Sequence, residues 1–236
     1  MIRGAAAALA ALIVAGCGGS SLPQAGAEAG GSVSIASRYA PRYSPLPPRR
    51  GIAPVDIVMP GGMICGDPRL LGRPIGRIRG TNPSCGIENP VSVTSVAGVA
   101  LPRAARVNCE TAIAFADWTD QVAKPSARQV LSTELKSMQV AASYACRTRN
   151  HQRGARISEH ARGNAIDISA FSFTNDRSVT LLEGWRGASG ERSYLRSVWQ
   201  GACGPFGTVL GPESDRFHQD HFHFDIARHR GGPFCR

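Results

Sequence analysis

Lysine is nearly absent from this chain. Lys124 and Lys136 are the only two among 27 basic residues; the rest are arginines, set against 17 acidic residues for a net charge of +10. Arginine pairs bidentately with carboxylate and phosphate, so the excess suits acidic partners. The arginines are scattered, with no basic helix, no zinc-finger spacing and no interleaving of basic and aromatic residues. Net charge is then the sole argument for nucleic acid, and we expect no nucleic-acid partner; an anionic cell envelope accounts for the same charge. No apolar run approaches the roughly 20 residues of a membrane-spanning helix, which excludes a multi-span protein. Internal repeats are lacking, and no two cysteines stand in a C-x2–4-C arrangement, the usual mark of a zinc–thiolate site. What remains is a globular composition, 42% hydrophobic and 19% charged, in 236 residues. That length holds one domain with a leader and a linker.

The leader reads MIRGAAAALAALIVAGC. Arg3 gives a short positive start, and Ala5 to Ala15 form an apolar stretch of secretory-signal length. It ends in Val14-Ala15-Gly16-Cys17, which resembles the lipobox of bacterial lipoproteins. The resemblance implies removal of residues 1–16 and acylation of Cys17; several acyl chains anchor firmly where one binds only marginally. Gly18 follows Cys17 in place of an aspartate that retains some lipoproteins at the inner membrane, so the outer membrane is favoured, with the chain facing the periplasm. Residues 17–50 are rich in Gly, Ser, Ala and Pro and carry too little apolar surface to order themselves. We read them as a tether, and residues 51–236 as the folded domain.

Of the seven cysteines, Cys17 belongs to the lipobox. The other six, in an exported domain, suggest three disulfides. We expect Cys65–Cys85, Cys109–Cys146 and Cys203–Cys235. Strand-like alternation marks Pro90 to Gly98, Gln139 to Cys146, Asn164 to Phe173 and His221 to Ala227. Helical spacing marks Ala105 to Val122 and Glu191 to Cys203, where Tyr194, Leu195, Val198 and Trp199 form an apolar stripe. Ser126 to Leu135 is a shorter helix or turn. Mixed elements without βαβ alternation predict an α+β fold with an antiparallel sheet.

Five of the six histidines fall in two segments. In the first, His160 precedes a Gly163-Asn164 turn and a strand in which Ala165, Asp167 and Ser169 share one face and Ile166, Ile168 and Ala170 the other. In the second, His221, His223 and Asp225 project from one face and Phe222 and Phe224 from the other, the phenylalanines toward the core. Histidines at i and i+2 reach one metal. Imidazole with one carboxylate suits zinc, and three protein ligands leave a fourth position for a water whose pKa falls to about 7. His151 and His229 are expected to be solvated and Glu159 exposed. Asp225 is either a partner that orients a histidine or a polar strand residue.

Ser158-x-His160-x-x-Gly163-x-Ala165-x-Asp167 followed by His221-x-His223 resembles the zinc metallopeptidases of the lysostaphin, D-Ala-D-Ala peptidase and hedgehog group. More closely, residues 65–236 resemble the bacterial extensin-like C-terminal domain family, through Ser143-Tyr144-Ala145-Cys146-Arg147, SEHARGNAIDISAF and VLGPESDRFHQDHFHFD. The resemblance implies a small central antiparallel sheet flanked by helices. It implies His160, Asp167 and His223 as zinc ligands. His221 corresponds to a histidine acting on water or transition state, and His218 to a further active-site histidine. Asp220 occupies a position where other members carry a general-base glutamate, so the base is His221 or Asp220. Arg147 corresponds to an arginine that steadies a substrate carbonyl or carboxylate. The reading that follows is a zinc peptidase or amidase of the envelope acting on peptidoglycan peptides. The second reading is a zinc-stabilised, non-catalytic wall-binding lipoprotein.

Overall fold

The computed structural model describes residues 62–236. Cys17, the expected leader 1–16, the tether 17–50 and residues 51–61 of the expected domain lie outside the described residues. The strands are β1 (Met63–Ile64), β2 (Asp67–Pro74), β3 (Ile78–Arg79), β4 (Gly86–Ile87), β5 (Val91–Val96) and β6 (Val99–Val107), then β7 (Leu135–Ala142), β8 (Ala165–Phe173), β9 (Ser178–Thr180), β10 (Thr208–Leu210), β11 (Phe222–Asp225) and β12 (Phe234–Cys235). The α-helices are α1 (Cys109–Trp118), α2 (Lys124–Leu131), α3 (Leu181–Gly184) and α4 (Ser189–Gln200). None of the described helices is long and apolar enough to cross a membrane.

Ten strands join in one sheet, in the order β1-β2-β5-β6-β7-β8-β11-β10-β12 with β9 against β8, while β3 and β4 form a separate hairpin. The α+β expectation holds, but the sheet is large rather than small. It is also mixed, because β6 pairs β7 and β10 pairs β12 in parallel. The additional strands were illegible for local reasons. β2 reads DPRLLGRP, and β6 contains Pro102, Arg103 and Arg106, so neither shows clean alternation. Ala105 to Val107 therefore ends β6 instead of starting a helix. Between β5 and β6 the chain reverses in two residues, Ala97 and Gly98, both with positive φ (49° and 80°), the twist that matches flanking strands.

The helix predicted to stop near Val122 continues. Asn108 caps α1 by accepting the Thr111 amide at 2.8 Å. A π-helical turn, Thr119–Ala123, then leads directly into α2. Pro125 lies just beyond it; its ring would collide with the Gln121 carbonyl in a regular helix, and the wider turn makes room. Trp118 is fully buried, donates from Nε1 to the Val198 carbonyl of α4 at 2.9 Å, and meets Phe224 edge-on. Ile166, Ile168, Phe222 and Phe224 turn one face of the β8–β11 pair toward this core.

The disulfides correct the expected pairing. Cys203–Cys235 is present, but the others are Cys65–Cys109 and Cys85–Cys146. Proximity in the fold differs from order in the chain. Packing of α1 on β2 brings Cys109, at the head of the helix, onto Cys65 in the β1–β2 turn. The β3–β4 hairpin carries Cys85 to the segment that follows β7. Each bridge contributes about 2–4 kcal/mol, mainly by restricting the unfolded chain.

Candidate metal centre

The β8–β11 ladder places His223 directly opposite Asp167. Both alternate with core residues and so emerge on the sheet face away from the helices. Two bulges adjust this face. Gln139 pairs Ala170 while Val140 pairs Ile168, which leaves Ser169 as the extra residue on β8; Val140 to Ala142 then spans Ile168 to Asp167, with Ala141 extra on β7. Beyond Ser169 the alternation therefore shifts, and Phe171 and Phe173, not Ala170, complete the core side.

His160 arrives from a 3-10 turn, Glu159–Arg162, closed by Gly163 at φ 70°. A side chain at Gly163 would meet Ile87 Cδ1 at 2.3 Å and the Asn108 amide nitrogen at 3.0 Å, so the position needs glycine for conformation and for space. The Gly163 carbonyl accepts from the Asn108 amide and the Thr111 hydroxyl, at 3.0 and 2.9 Å. Asn108 Nδ2 donates to Asn164 Oδ1, and Asn164 Nδ2 to Glu159 Oε2, at 2.6 and 2.8 Å. One asparagine thus caps α1 and ties the turn of His160 to it. Glu159, expected in solvent, is instead 11% exposed in its side chain and faces Arg149 and Arg162. His151 and His229 are exposed as expected.

The ligand atoms of His160, Asp167 and His223 all lie within 4.8 Å of one another, and the three residues are buried. His160 Nε2 stands 3.1 Å from His223 Nδ1 and 3.2 Å from Asp167 Oδ1, and His223 Nδ1 is 2.9 Å from Asp167 Oδ1. The outer nitrogens decide what these atoms carry. His160 Nδ1–H donates to the Ser143 carbonyl at 2.6 Å, and His223 Nε2–H to Asp225 Oδ2 at 3.1 Å. With those protons fixed, neutral rings aim lone pairs from His160 Nε2 and His223 Nδ1 at a carboxylate oxygen. Three acceptors converge with no donor among them, an arrangement that calls for a cation.

The fit to a metal follows. Donors about 2.0–2.1 Å from a tetrahedral zinc stand about 3.3 Å apart, close to the separations here. A carbonyl and a carboxylate behind the two imidazoles are the usual supports that set tautomer and basicity in a metal site. Without a metal a proton serves instead. Burial pulls the His223 pKa down, but hydrogen bonds and charge from Asp167 and Asp225 outweigh it and raise it to about 9. For Asp167 burial works upward and is overcome by His160 and His223, leaving its carboxyl far below the usual range.

Two further histidines border the group. The His218 ring lies 5.2 Å from that of His221 and 5.8 Å from that of His223. His221 Nε2 is 3.8 Å from Asp167 Oδ2, and its Nδ1–H donates to Asp220 Oδ1 at 2.8 Å. His221 lies just ahead of β11, on the more open side, with 19% of its side chain exposed against 1% for His160. Asp220, 68% exposed, holds the His221 ring by the nitrogen opposite Nε2. Arg147 makes no direct hydrogen bond or ion pair with the group. Its guanidinium donates to the Thr148 carbonyl at 3.3 Å, and among the described residues no carboxylate or site histidine pairs with it. Its own carbonyl accepts from Ser158, beside the turn of His160.

Asp215 and Ser143 were missed as site residues. Asp215 Oδ1 accepts from His218 Nδ1–H and from the Phe217 amide, both at 2.7 Å. A Ser-Asp turn three residues before a histidine was the available signal. The Ser143 carbonyl left none, since a backbone acceptor has no sequence signature.

The family profile described as extensin-like protein C-terminus matches residues 73–236, a span that contains every residue of this centre. The chain belongs to that family. No curated protein and no solved structure matches it. Cys65 and β1 precede the extensin-like match, while the motifs around His160 and His223 fall within it.

Proposed function

We propose that this extensin-like domain is a zinc-dependent hydrolase of the bacterial cell envelope, a peptidase or amidase that cleaves peptide bonds of peptidoglycan. The observation that carries the reading is the convergence of three acceptor atoms from His160, Asp167 and His223, two of them on imidazoles whose other nitrogen is already committed. The donor set suits zinc, and three disulfides suit an oxidising compartment, where a redox-inert ion is at an advantage. When bound, such an ion supplies Lewis acidity toward a carbonyl oxygen and a water acidic enough to act near neutral pH.

The chain's own residues supply the remainder. His221 Nε2, kept free of its proton by the Nδ1–H bond to Asp220, is the acceptor for a proton from the attacking water. This assigns the base to His221 and makes Asp220 its positioning residue. His218 is oriented in the same way by Asp215 and is the second proton carrier, for the departing amine. Arg147 carries no carboxylate partner, which leaves its guanidinium available for a substrate carbonyl. In this reading Cys17 anchors the chain by lipid, the outer membrane being favoured, and residues 17–50 give the domain its reach into the wall.

The test uses untagged full-length chain, exported so that its disulfides form. Elemental mass spectrometry should find near one zinc per chain, lost in His223→Ala, and purified sacculi should release peptide or D-alanine. Absence of metal after zinc supplementation overturns the reading. Bound zinc with no release from sacculi overturns the hydrolase and leaves a wall-binding module.

A further inference from the structure

The loop between β10 and β11 carries a feature that the metal centre does not use. Phe217 is one of four large apolar side chains left exposed among the described residues, at 37%. The guanidinium of Arg216 lies over its ring, 4.8 Å from the centroid. Among the described residues no carboxylate pairs with Arg216, whereas Arg196, which anchors the start of the same loop, is paired with Glu213. The next residue, His218, is buried and its ring faces both His221 and His223. A cation without a carboxylate partner, laid over a partly exposed aromatic ring, therefore stands one residue along the chain from the histidine cluster.

This segment is held, not loose. A single carboxylate oxygen of Asp215 fixes the Phe217 amide and the His218 ring together. Upstream, Ser214 closes a turn onto the Gly211 carbonyl, and Glu213 is gripped by two nitrogens of Arg196 at 2.9 and 2.5 Å. Gly211 itself lies so close to Trp199 that a side chain there would meet its Nε1 at 3.0 Å. Anchors on α4 thus fix the loop on one side and Asp215 fixes it on the other. A rigid loop that exposes an apolar ring loses little entropy when it binds.

We infer that Arg216 and Phe217 form the recognition lip of this site and receive a carboxylate-bearing glycopeptide, its carboxylate on Arg216 and its apolar or sugar face on Phe217. The inference rests on the reading of the centre as a hydrolase of wall peptides. Both side chains determine specificity; neither touches the scissile bond.

The probe is N-acetylmuramoyl dipeptide with a free carboxylate, compared with its carboxamide, titrated into the zinc-loaded full chain by NMR. Arg216→Gln should weaken the acid about tenfold and leave the amide nearly unchanged, the loss expected for one charge-assisted contact. Phe217→Ala should weaken both about tenfold, through lost ring contact. Zinc content and melting temperature should match the parent in both variants. Equal binding of acid and amide by the parent, no binding of either, or unchanged affinities in the variants overturn the lip. Sacculus digestion separates this from the wider reading. Digestion by both variants at parental KM sinks the lip and leaves the hydrolase. Probe binding that follows the expected pattern, in a chain that digests nothing, sustains the lip and sinks the hydrolase.

Discussion

The two faces of the β8–β11 ladder are made from alternate residues of the same strands, yet they are held by different forces. On one face Ile166, Ile168, Phe222 and Phe224 are at most 1% exposed, and Phe224 packs against Trp118 and Phe206. On the other, Asp167, His223 and Asp225 are almost as deeply buried, at 3%, 9% and 4%. Burial of apolar surface is non-directional and tolerates exchange of similar volumes. Burial of a carboxylate between imidazoles is tolerated only if each polar atom has its named partner. The polar face should therefore be specified atom by atom, and the apolar face by volume. Pleating lets both demands be met within two residues of each other.

The comparison is broken most severely from the apolar side. Phe224→Ala should cost about 3–5 kcal/mol through lost transfer energy and a cavity beneath Trp118. The loss should be the same in zinc and in chelator, because the ring meets the core and not the ligands; denaturant unfolding in both buffers measures it. On the polar side, His223→Ala should remove the stabilisation that zinc gives the parent, about 2.7 kcal/mol at a hundredfold excess over Kd. The two buffers should then give the same melting temperature. A zinc-dependent shift that persists in His223→Ala would mean that the ion binds elsewhere. Asp225→Asn is a finer cut. It keeps the shape behind His223 and removes the charge, and it should weaken zinc by about 10- to 100-fold. Competition with a chromophoric chelator reads that ratio. The zinc-free protein should lose stability too, because Asp225 helps to hold the proton of His223.

What the sequence disclosed follows the same division. The candidate ligands were legible because His160, Asp167 and His223 stand in motifs that carry a family resemblance, β11 and α4 because their alternation or helical stripe is uninterrupted, and β8 as far as Ile168, before the bulge at Ser169 shifts its alternation. β2 and β6 were hidden by Pro, Gly and Arg within strands whose register is set by neighbours. The π turn escaped because Pro125 signals a break in sequence, while tertiary packing carries the helix through it. Cys65–Cys109 and Cys85–Cys146 depend on which elements pack together, a property of topology and not of spacing. The supports of the site divide likewise. Asp225 was visible as the residue two beyond His223, whereas the Ser143 carbonyl was placed only by the bulges in β7 and β8.

Asp215 offers the gentlest test, because it lies on the polar side but at its solvent edge. Burial alone would raise its carboxyl. The Phe217 amide and His218 outweigh that and hold it below its usual value of 3.8. A depressed pKa means that the contribution is present above the unfolded-state value and is lost as pH falls through the folded one. His218, whose own pKa burial pushes down, adds a loss in the same direction as pH falls below its usual 6.5. With 38% of the Asp215 side chain in solvent, the contribution is small, less than about 1 kcal/mol at neutral pH. The expected result, after allowance for intrinsic rates, is an exchange of the Phe217 amide that is slowest near pH 7, quickens modestly as His218 takes up its proton below 6.5, and quickens again below about 4. Asp215→Asn keeps an acceptor and should flatten the acid limb while leaving the His218 limb in place. An acid limb that persists in Asp215→Asn would show that some other carboxylate holds the loop, and would leave Arg216 and Phe217 without the anchor that makes them rigid.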